Sequence, residues 1–430
     1  MRSFLVPVVA LALTFPAFAV THAVLPDSSI QAKIDLAQPG DIIAIFGGTY
    51  TQDVTVNKAI RLVEVDGQDV LITGNVTFTG ITNAPPFEGF VVGSAGKGIT
   101  IVNTTGIVLK NIDARPGIGL VVNGTSRVGI TGGLYSQISQ DGGELTTTLT
   151  QVTGDLGATL NAQKTIVFRT SVGGSVNLSS KKTWVGYSSL IKASFVLTNS
   201  NLIIVGNTFL ARPYSTVIGV SGTGSSLQIM NNSLFGASWH NNIGYFPGQG
   251  IDIAGSNHQI KILNNVITMS RINKPDGSNP WSFGRGIRIA ASFGECHIYN
   301  NIIVEPDVGI DAPYGALIRN NLVYIPFRSN VAGGAVAEAT LSGDPLFVSG
   351  QAPKLQQSSP CINAGVNVPI YNDRDGSQND IGALGGPLYD PDGWTTTNPV
   401  VISFDLAPQQ LLKGVDTSVN LTNGQAVAQP

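Results

Sequence analysis

The residues of this sequence best able to do chemistry crowd into two stretches, Gly236 to Gln249 and Thr268 to Arg285. These hold Trp239, His240, Tyr245, Phe246, Arg271, Lys274, Asp276, Trp281, Phe283 and Arg285, in a chain with only 4 Trp and 12% charged residues. Beside them run the short phrases Ile218-Gly219-Val220, Ile251-Asp252-Ile253, Ile287-Arg288-Ile289 and Ile310-Asp311-Ala312, whose middle residues form one column. Aromatic rings stack on sugar faces, and Arg or Lys neutralises carboxylates, so the set suits an acidic carbohydrate. The catalytic candidates are Asp252, Arg288, Asp311, His240 and Arg285; the substrate-binding candidates are Trp239, Tyr245, Arg271, Lys274 and Trp281. In a lyase a basic side chain takes the proton α to a uronate carboxylate while a cation offsets the enolate charge. In a hydrolase two carboxylates act as acid and base. Asp252 and Asp311 lie two phrases apart, ~9.6 Å at the spacing of stacked strands, at the upper edge of the ~6.5–9.5 Å inverting geometry. The plainer alternative is a surface ion-pair ladder worth about 1 kcal/mol or less per pair, with the loop aromatics packed on one another.

Positioning such a column requires turns in register, and the sequence supplies them. A phrase ending in Gly-Asn or Asn-Asn recurs at Leu202 to Asn207, Leu227 to Asn232, Ile260 to Asn265, Cys296 to Asn301 and Ala316 to Asn321, in steps of 25, 33, 36 and 20 residues. Periods of this size mark a solenoid. Each phrase alternates apolar and polar residues as a strand does, and Asn tolerates the left-handed bend that turns the chain. The short phrases at Ile218, Ile251 and Ile287 each precede an Asn of the ladder by thirteen residues. Ile229, Ile262, Ile298 and Ile318 should therefore form one buried stack, with Gln228, Lys261 and His297 outward. Both long insertions leave after an Asn-Asn strand and return to the next Ile-x-Ile strand, so they should stand side by side and wall one groove. Loops on a rigid scaffold carry function more often than the scaffold does.

The chain opens with Met1-Arg2-Ser3, an apolar run to about Phe15, and Ala17-Phe18-Ala19, the pattern of a signal peptide over 1–19. The run contains Pro7 and Pro16 and is shorter than the ~20 residues of a spanning helix. The expectation is a secreted or cell-surface protein, extracellular or periplasmic, beginning near Val20, with no membrane association after cleavage. Loss of Arg2 takes the net charge from −3 to −4, which argues against a nucleic-acid partner. Low charge beside 42% apolar residues and 51 Gly indicates a β-rich coil rather than disorder. Cys296 falls in the inward column of Leu227 and Ile260, and Cys361 is expected two or three turns beyond it. That separation, ~10–14 Å at ~4.8 Å per turn, is too far for a disulfide. Neither Cys has a partner at zinc-ligand spacing.

Ser28 and Ser29 can cap a helix over Ile30 to Ala37 that Pro39-Gly40 ends, an amphipathic lid for the solenoid's open end. Short strands then recur roughly every twenty residues, at Ile60, Ile99, Ile107, Leu120, Val128, Ile166 and Phe195; the phrase blurs between Gln140 and Ser180. The opening, from Ser29-Ile30-Gln31 through Pro39-Gly40-Asp41 and Gly48-Thr49-Tyr50 to Lys58-Ala59-Ile60-Arg61-Leu62, resembles the first turn of right-handed parallel β-helix proteins of the pectin-lyase-like superfamily. Gly343-Asp344-Pro345-Leu346-Phe347, Ser359-Pro360-Cys361-Ile362-Asn363-Ala364-Gly365 and Asn379-Asp380-Ile381-Gly382-Ala383-Leu384-Gly385-Gly386 resemble the closing turns of exported bacterial members. The resemblance implies an all-β fold, a right-handed single-stranded parallel β-helix over 20–390 with a short N-terminal capping helix. Residues 391–430 read as a linker and strand segment, with a strand at Val400 to Phe404, that caps the far end or carries a sorting element.

Within that superfamily the polygalacturonase motifs Asn-Thr-Asp, Asp-Asp, Gly-His-Gly and Arg-Ile-Lys are absent, and Arg271-Ile272-Asn273 only approaches the last. No pectate-lyase cluster of calcium-binding acids is recognisable. Gly-x-Ser-x-Gly and His-Glu-x-x-His are also absent, and Gly117-Ile118-Gly119 lacks the third Gly of a dinucleotide site. Asp373-Arg374-Asp375-Gly376 has Tyr371 and Gly382 where an EF-hand has its first and last ligands, leaving an Asp-Gly turn favoured over a looser calcium site. No cofactor is assigned; Ca2+ is the one metal kept open. The functional expectation is an exported monomer acting on an acidic polysaccharide, with a polysaccharide lyase favoured over a glycoside hydrolase if it is an enzyme. The alternative is a non-catalytic surface or adhesive solenoid.

Overall fold

The computed structural model describes residues 19–65, 67, 69–211, 216–236, 248–269, 284–348, 353–387 and 389, together with the strands Val400–Ala407 and Asn420–Val427. The chain is a parallel β-helix of about 14 turns. Each turn presents three short strands, and each strand pairs in parallel with its equivalent one turn on, which gives three faces. On the first face Ile218–Thr223, the start of Ile251–Leu263, the start of Arg285–Tyr299 and Val308–Asp311 are neighbours. On the second, Asn201–Val205 and Ser226–Met230 lead to the later parts of the same two long strands. On the third lie Ser233–Gly236, Val266–Thr268, Ile302–Val304 and Leu322–Tyr324.

Period-two alternation places one apolar column per face inside. Ile229, Ile262, Ile298 and Ile318 are all buried and stacked in register, as their spacing predicts. Lys261 is exposed, while Gln228 and His297 are half-buried; the His297 ring lies parallel to that of Tyr299 at 5.2 Å. Parallel strands offer no short hairpin, so every corner must be built by the turn residues themselves. At the corner between the second and third faces Asn231, Asn264, Asn300 and Asn320 adopt φ of 55°, 55°, 58° and 49°, the left-handed region that Asn tolerates better than other side chains.

The second Asn of each pair does something else. Asn207, Asn232, Asn265, Asn301 and Asn321 are buried and stacked. Each Oδ1 from Asn232 onward accepts both the backbone N–H and the Nδ2–H of the Asn one turn earlier, at 2.9–3.1 Å. Each Nδ2 also donates to backbone carbonyls, as Asn265 does to Ile229 and Leu263. The column continues toward the N-terminus with shorter side chains: Ser188 donates its N–H to Asn207 Oδ1, and Thr170 donates its N–H to Ser188 Oγ.

The blurred stretch between Gln140 and Ser180 is regular coil with polar residues inside. Gln140, Thr147 and Thr165 are buried. Gln140 Nε2 donates to the carbonyls of Gly142, Gly143 and Lys164, and its Oε1 accepts from Thr165 Oγ1. Apolar periodicity fails there because hydrogen bonding replaces it.

At the N-terminal end the helix spans Ile30–Leu36, one residue shorter than expected, with Ser29 Oγ accepting from the Ala32 N–H at 3.1 Å. Ile30 and Ile34 are buried over the open end, and Lys58 Nζ binds the carbonyls of Ile34, Asp35 and Ala37 at the helix C-terminus, where orphan acceptors and the helix dipole favour a cation. A strand the sequence reading did not find, Thr21–Val24, pairs with Ile42–Ile45.

The C-terminal motifs differ from expectation. They do not coil on as closing turns; they fold back along the outside as a strap. The outward-facing corner asparagines read it in reverse order: Asn320 Nδ2 donates to Ala364 O, Asn300 Oδ1 accepts the Val366 N–H, Asn264 Nδ2 donates to Asp380 O and Asn379 Oδ1, and Asn231 Nδ2 donates to Ala383 O and Gly385 O. Cys361 is therefore not further along the coil but packed beside Val266, Ile302 and Leu322 on the third face. Both cysteines are buried and free. Burial pushes each thiol up to about 12. Beyond the strap, Val400–Ala407 pairs antiparallel with Asn420–Val427; the second strand of that hairpin was not expected.

Candidate functional site

The predicted column exists. Asp252 pairs in register with Gly219 on one side and Arg288 on the other, and Arg288 with Asp311. These residues point out because Ile251, Ile253, Ile287, Ile289 and Ile310 are buried on either side of them. The charges do not form one continuous ladder, however. Arg288 Nη1 lies 3.2 Å from Asp252 Oδ1 and 3.4 Å from Oδ2, while Asp311 is bound by Arg285 Nε. The two guanidinium groups are 39% and 38% exposed, their carboxylate partners 23% each. Each Asp is thus paired with its own guanidinium.

The feet of the two insertions stand where the sequence puts them. The departing strands are paired, Phe235 with Thr268. The returning ends are stacked: Gly250 N–H donates to Arg285 O, and Arg285 N–H to Gln249 Oε1 at 2.9 Å. Both insertions therefore spring from the corner between the third and first faces, beside the column. Trp239, His240, Tyr245, Phe246, Arg271, Lys274, Asp276, Trp281 and Phe283 lie outside the described residues.

Three features escaped the sequence reading. At the same corner Asp307 pairs with Arg328 at 3.2 Å, and the Asp307 N–H donates to Gly284 O. Three ion pairs among the described residues therefore gather at this end, Arg285, Arg288 and Arg328 with Asp311, Asp252 and Asp307. Next, a cleft of about 540 Å3 opens at the corner between the first and second faces, lined by Thr125, Arg127, Asp141, Glu144, Asn161 and Gln163 among others. Hydrogen bonds from Thr159 and Asn161 hold the Asp141 carboxyl below its usual range. Finally, His258 is buried in an inward polar column, its Nδ1 accepting the Ser225 N–H and its Nε2 facing Ala254 O. His297, by contrast, lies on the second face, away from the column, and burial lowers its basicity.

The Asp373 to Gly376 segment is a turn within the strap. Asp373 N–H donates to Ser377 O, Gly376 has φ of 88°, and the Asp373 carboxylate accepts the N–H groups of Asp380 and Gly386. Among the described residues no cluster of three or more His, Cys, Asp or Glu is arranged to hold a metal ion.

No family model matches the chain, and no curated protein matches it.

Proposed function

We propose that the chain is an exported, carbohydrate-active solenoid that engages an acidic polysaccharide across the first face at Asp252, Arg288 and Asp311. The observation that supports this most is the pair of half-exposed guanidinium groups, Arg285 and Arg288, on one turn at the foot of two insertions rich in aromatic residues. Arg288 meets Asp252 through Nη1 and Arg285 meets Asp311 through Nε, and a guanidinium carries five N–H donors. Both arginines therefore keep donors for a second anion, and a uronate carboxylate fits that fork bidentately. Trp239, Tyr245 and Trp281 would supply stacking surfaces, with Arg271 and Lys274 adding positive charge.

In the lyase form of the proposal His240 takes the proton from the carbon α to the uronate carboxylate. The electron pair left behind forms the double bond as the glycosidic C–O bond breaks, the departing oxygen takes up a proton from water to become a hydroxyl, and Arg285 and Arg288 offset the charge on the carboxylate. An arginine stays protonated in proteins and cannot be the base. The second reading, a non-catalytic surface solenoid, draws on the ion pairs described above, since Arg285 and Arg288 each already have a carboxylate. A panel of polyuronates and neutral glycans, scored for binding and for ultraviolet absorbance of unsaturated uronides, separates the readings. Binding of polyuronates alone supports the proposal, absorbance growth specifies the lyase, and no interaction at low salt leaves the surface solenoid.

A further inference from the structure

We propose that the C-terminal hairpin, Val400–Ala407 with Asn420–Val427, continues the strap and seats on an outward apolar patch of the second face formed by Ile166, Phe168, Trp184 and Val205. The register shows that these side chains do not belong to the interior. Thr183 and Val185 pair with the core residues Leu202 and Ile204, so Trp184 between them points out, level with Ile166 on one turn and Ile203 on the next. Yet Phe168 and Trp184 are only 0% and 9% exposed. Among the described residues their apolar neighbours are one another, Tyr187, Val205 and the half-buried Ile203, with the Arg169 guanidinium 4.8 Å over the Phe168 ring. A flat outward patch of this kind is buried only under a cover.

Continuity identifies the cover. Ile203 also packs on the neighbouring outer cluster of Met230, Leu263 and Tyr299, which the strap residues Val366 and Tyr371 close. The strap runs from Asn320 back to Asn231, toward the patch. The corner column changes character where the asparagine contacts end: beyond Asn231 it continues as Gly206, Tyr187 and Arg169, all three in left-handed conformation and the last two with side chains on the patch. From Tyr389 the 11 residues to Val400 span up to ~36 Å at ~3.3 Å each, whereas the three turns from Asn231 to Arg169 cover ~14 Å. A lone two-stranded hairpin is marginal in water. Its first strand carries Val400, Val401, Ile402, Phe404 and Leu406, apolar residues enough to need a cover, with register shifts between Val401 and Ser403 and between Asp405 and Leu406.

The test uses the full chain with Trp239, Trp281 and Trp394 replaced by Phe, which leaves Trp184 as the sole Trp. Acrylamide quenching should be weak in this protein, independent of concentration, and rise severalfold both on truncation after Tyr389 and in full-length Phe404→Asp. Lysine cross-linking of the unaltered chain should join Lys413, between the hairpin strands, to Lys164, Lys181 or Lys182 within one molecule. Equal protection of Trp184 with and without the hairpin overturns the proposal. So does protection lost on dilution, which makes a second copy the cover, or a Lys413 that cross-links only elsewhere. Should the altered chains fail to fold, the cross-links alone decide.

Discussion

Asn232 and Asn265 sit one turn apart inside the coil, and a single oxygen, Asn265 Oδ1, accepts both the Nδ2–H and the backbone N–H of Asn232 at 3.0 and 3.1 Å. Asn265→Ala leaves those two buried donors without that acceptor and deprives Ile229 O and Leu263 O of a donor. The Asn232 N–H is orphaned, while its Nδ2 keeps Ile204 O and Met230 O and Leu263 O keeps the Asn231 N–H. An orphaned buried group costs about 1–3 kcal/mol, so chemical denaturation should show a loss of that size. A loss below 1 kcal/mol contradicts the ladder.

Asn264, the residue before it, faces the other way. Asn264→Ala removes the contacts to Asn379, Asp380 and Gly382 but leaves the inner column intact. The strap should become the first site of limited proteolysis while the coil keeps its cooperative unfolding. Cleavage first within the coil would show that the strap is not held by the corner asparagines.

Ile262 is buried in the central stack and Lys261 beside it is exposed. Ile262→Ala should cost roughly 2–5 kcal/mol as a core truncation; Lys261→Ala should stay within about 0.5 kcal/mol. Similar losses for the two would mean that the register is wrong.

Asp41 ties the first strand down. Its carboxylate accepts the Gln38 N–H, meets His22 and accepts the Val20 N–H, and these contacts lower its pKa from 3.8 to about 2. A depressed carboxyl contributes stability that is present above its ordinary value and is lost as pH falls through the folded-state value. Thr21–Val24 should therefore lose hydrogen-exchange protection between pH ~4 and ~2. Asp41→Asn should abolish that step; an unchanged step in the variant would assign it to another group.

Much of this fold was legible because the Asn phrases and the Ile-x-Ile phrases report the same turn in two places. The burial of Ile229, Ile262, Ile298 and Ile318 and the pairing of Asp252 with Arg288 both follow from that spacing. The Gln140 to Ser180 coil was illegible because buried polar side chains pair inside it, Gln140 with Thr165 and Thr147 with Thr170, which erases the apolar alternation of a strand. The strap was misread as further turns because Asn379-Asp380-Ile381-Gly382 carries the same residue types as the coil. The contacts of Asn320, Asn300, Asn264 and Asn231 in turn reveal that it runs backward. At the candidate site the column could be placed from register, but which Arg holds which Asp depends on side-chain reach that spacing does not encode: Arg285, three residues before Arg288, takes Asp311.

The central claim is that Arg288 faces an acidic glycan rather than merely stabilising the coil. The most direct measurement is the affinity of the native protein and of Arg288→Ala for a polyuronate at low and high salt, with thermal unfolding of both. A half-exposed ion pair contributes about 1 kcal/mol or less to stability, and a hydrogen-bonded charge in a binding site about 1.5–3 kcal/mol. The variant should therefore bind roughly tenfold or more weakly, with a smaller salt dependence, and melt within a degree or two of the native protein. Unchanged affinity, or a melting temperature several degrees lower with all glycan binding kept, would contradict the claim and make the column structural.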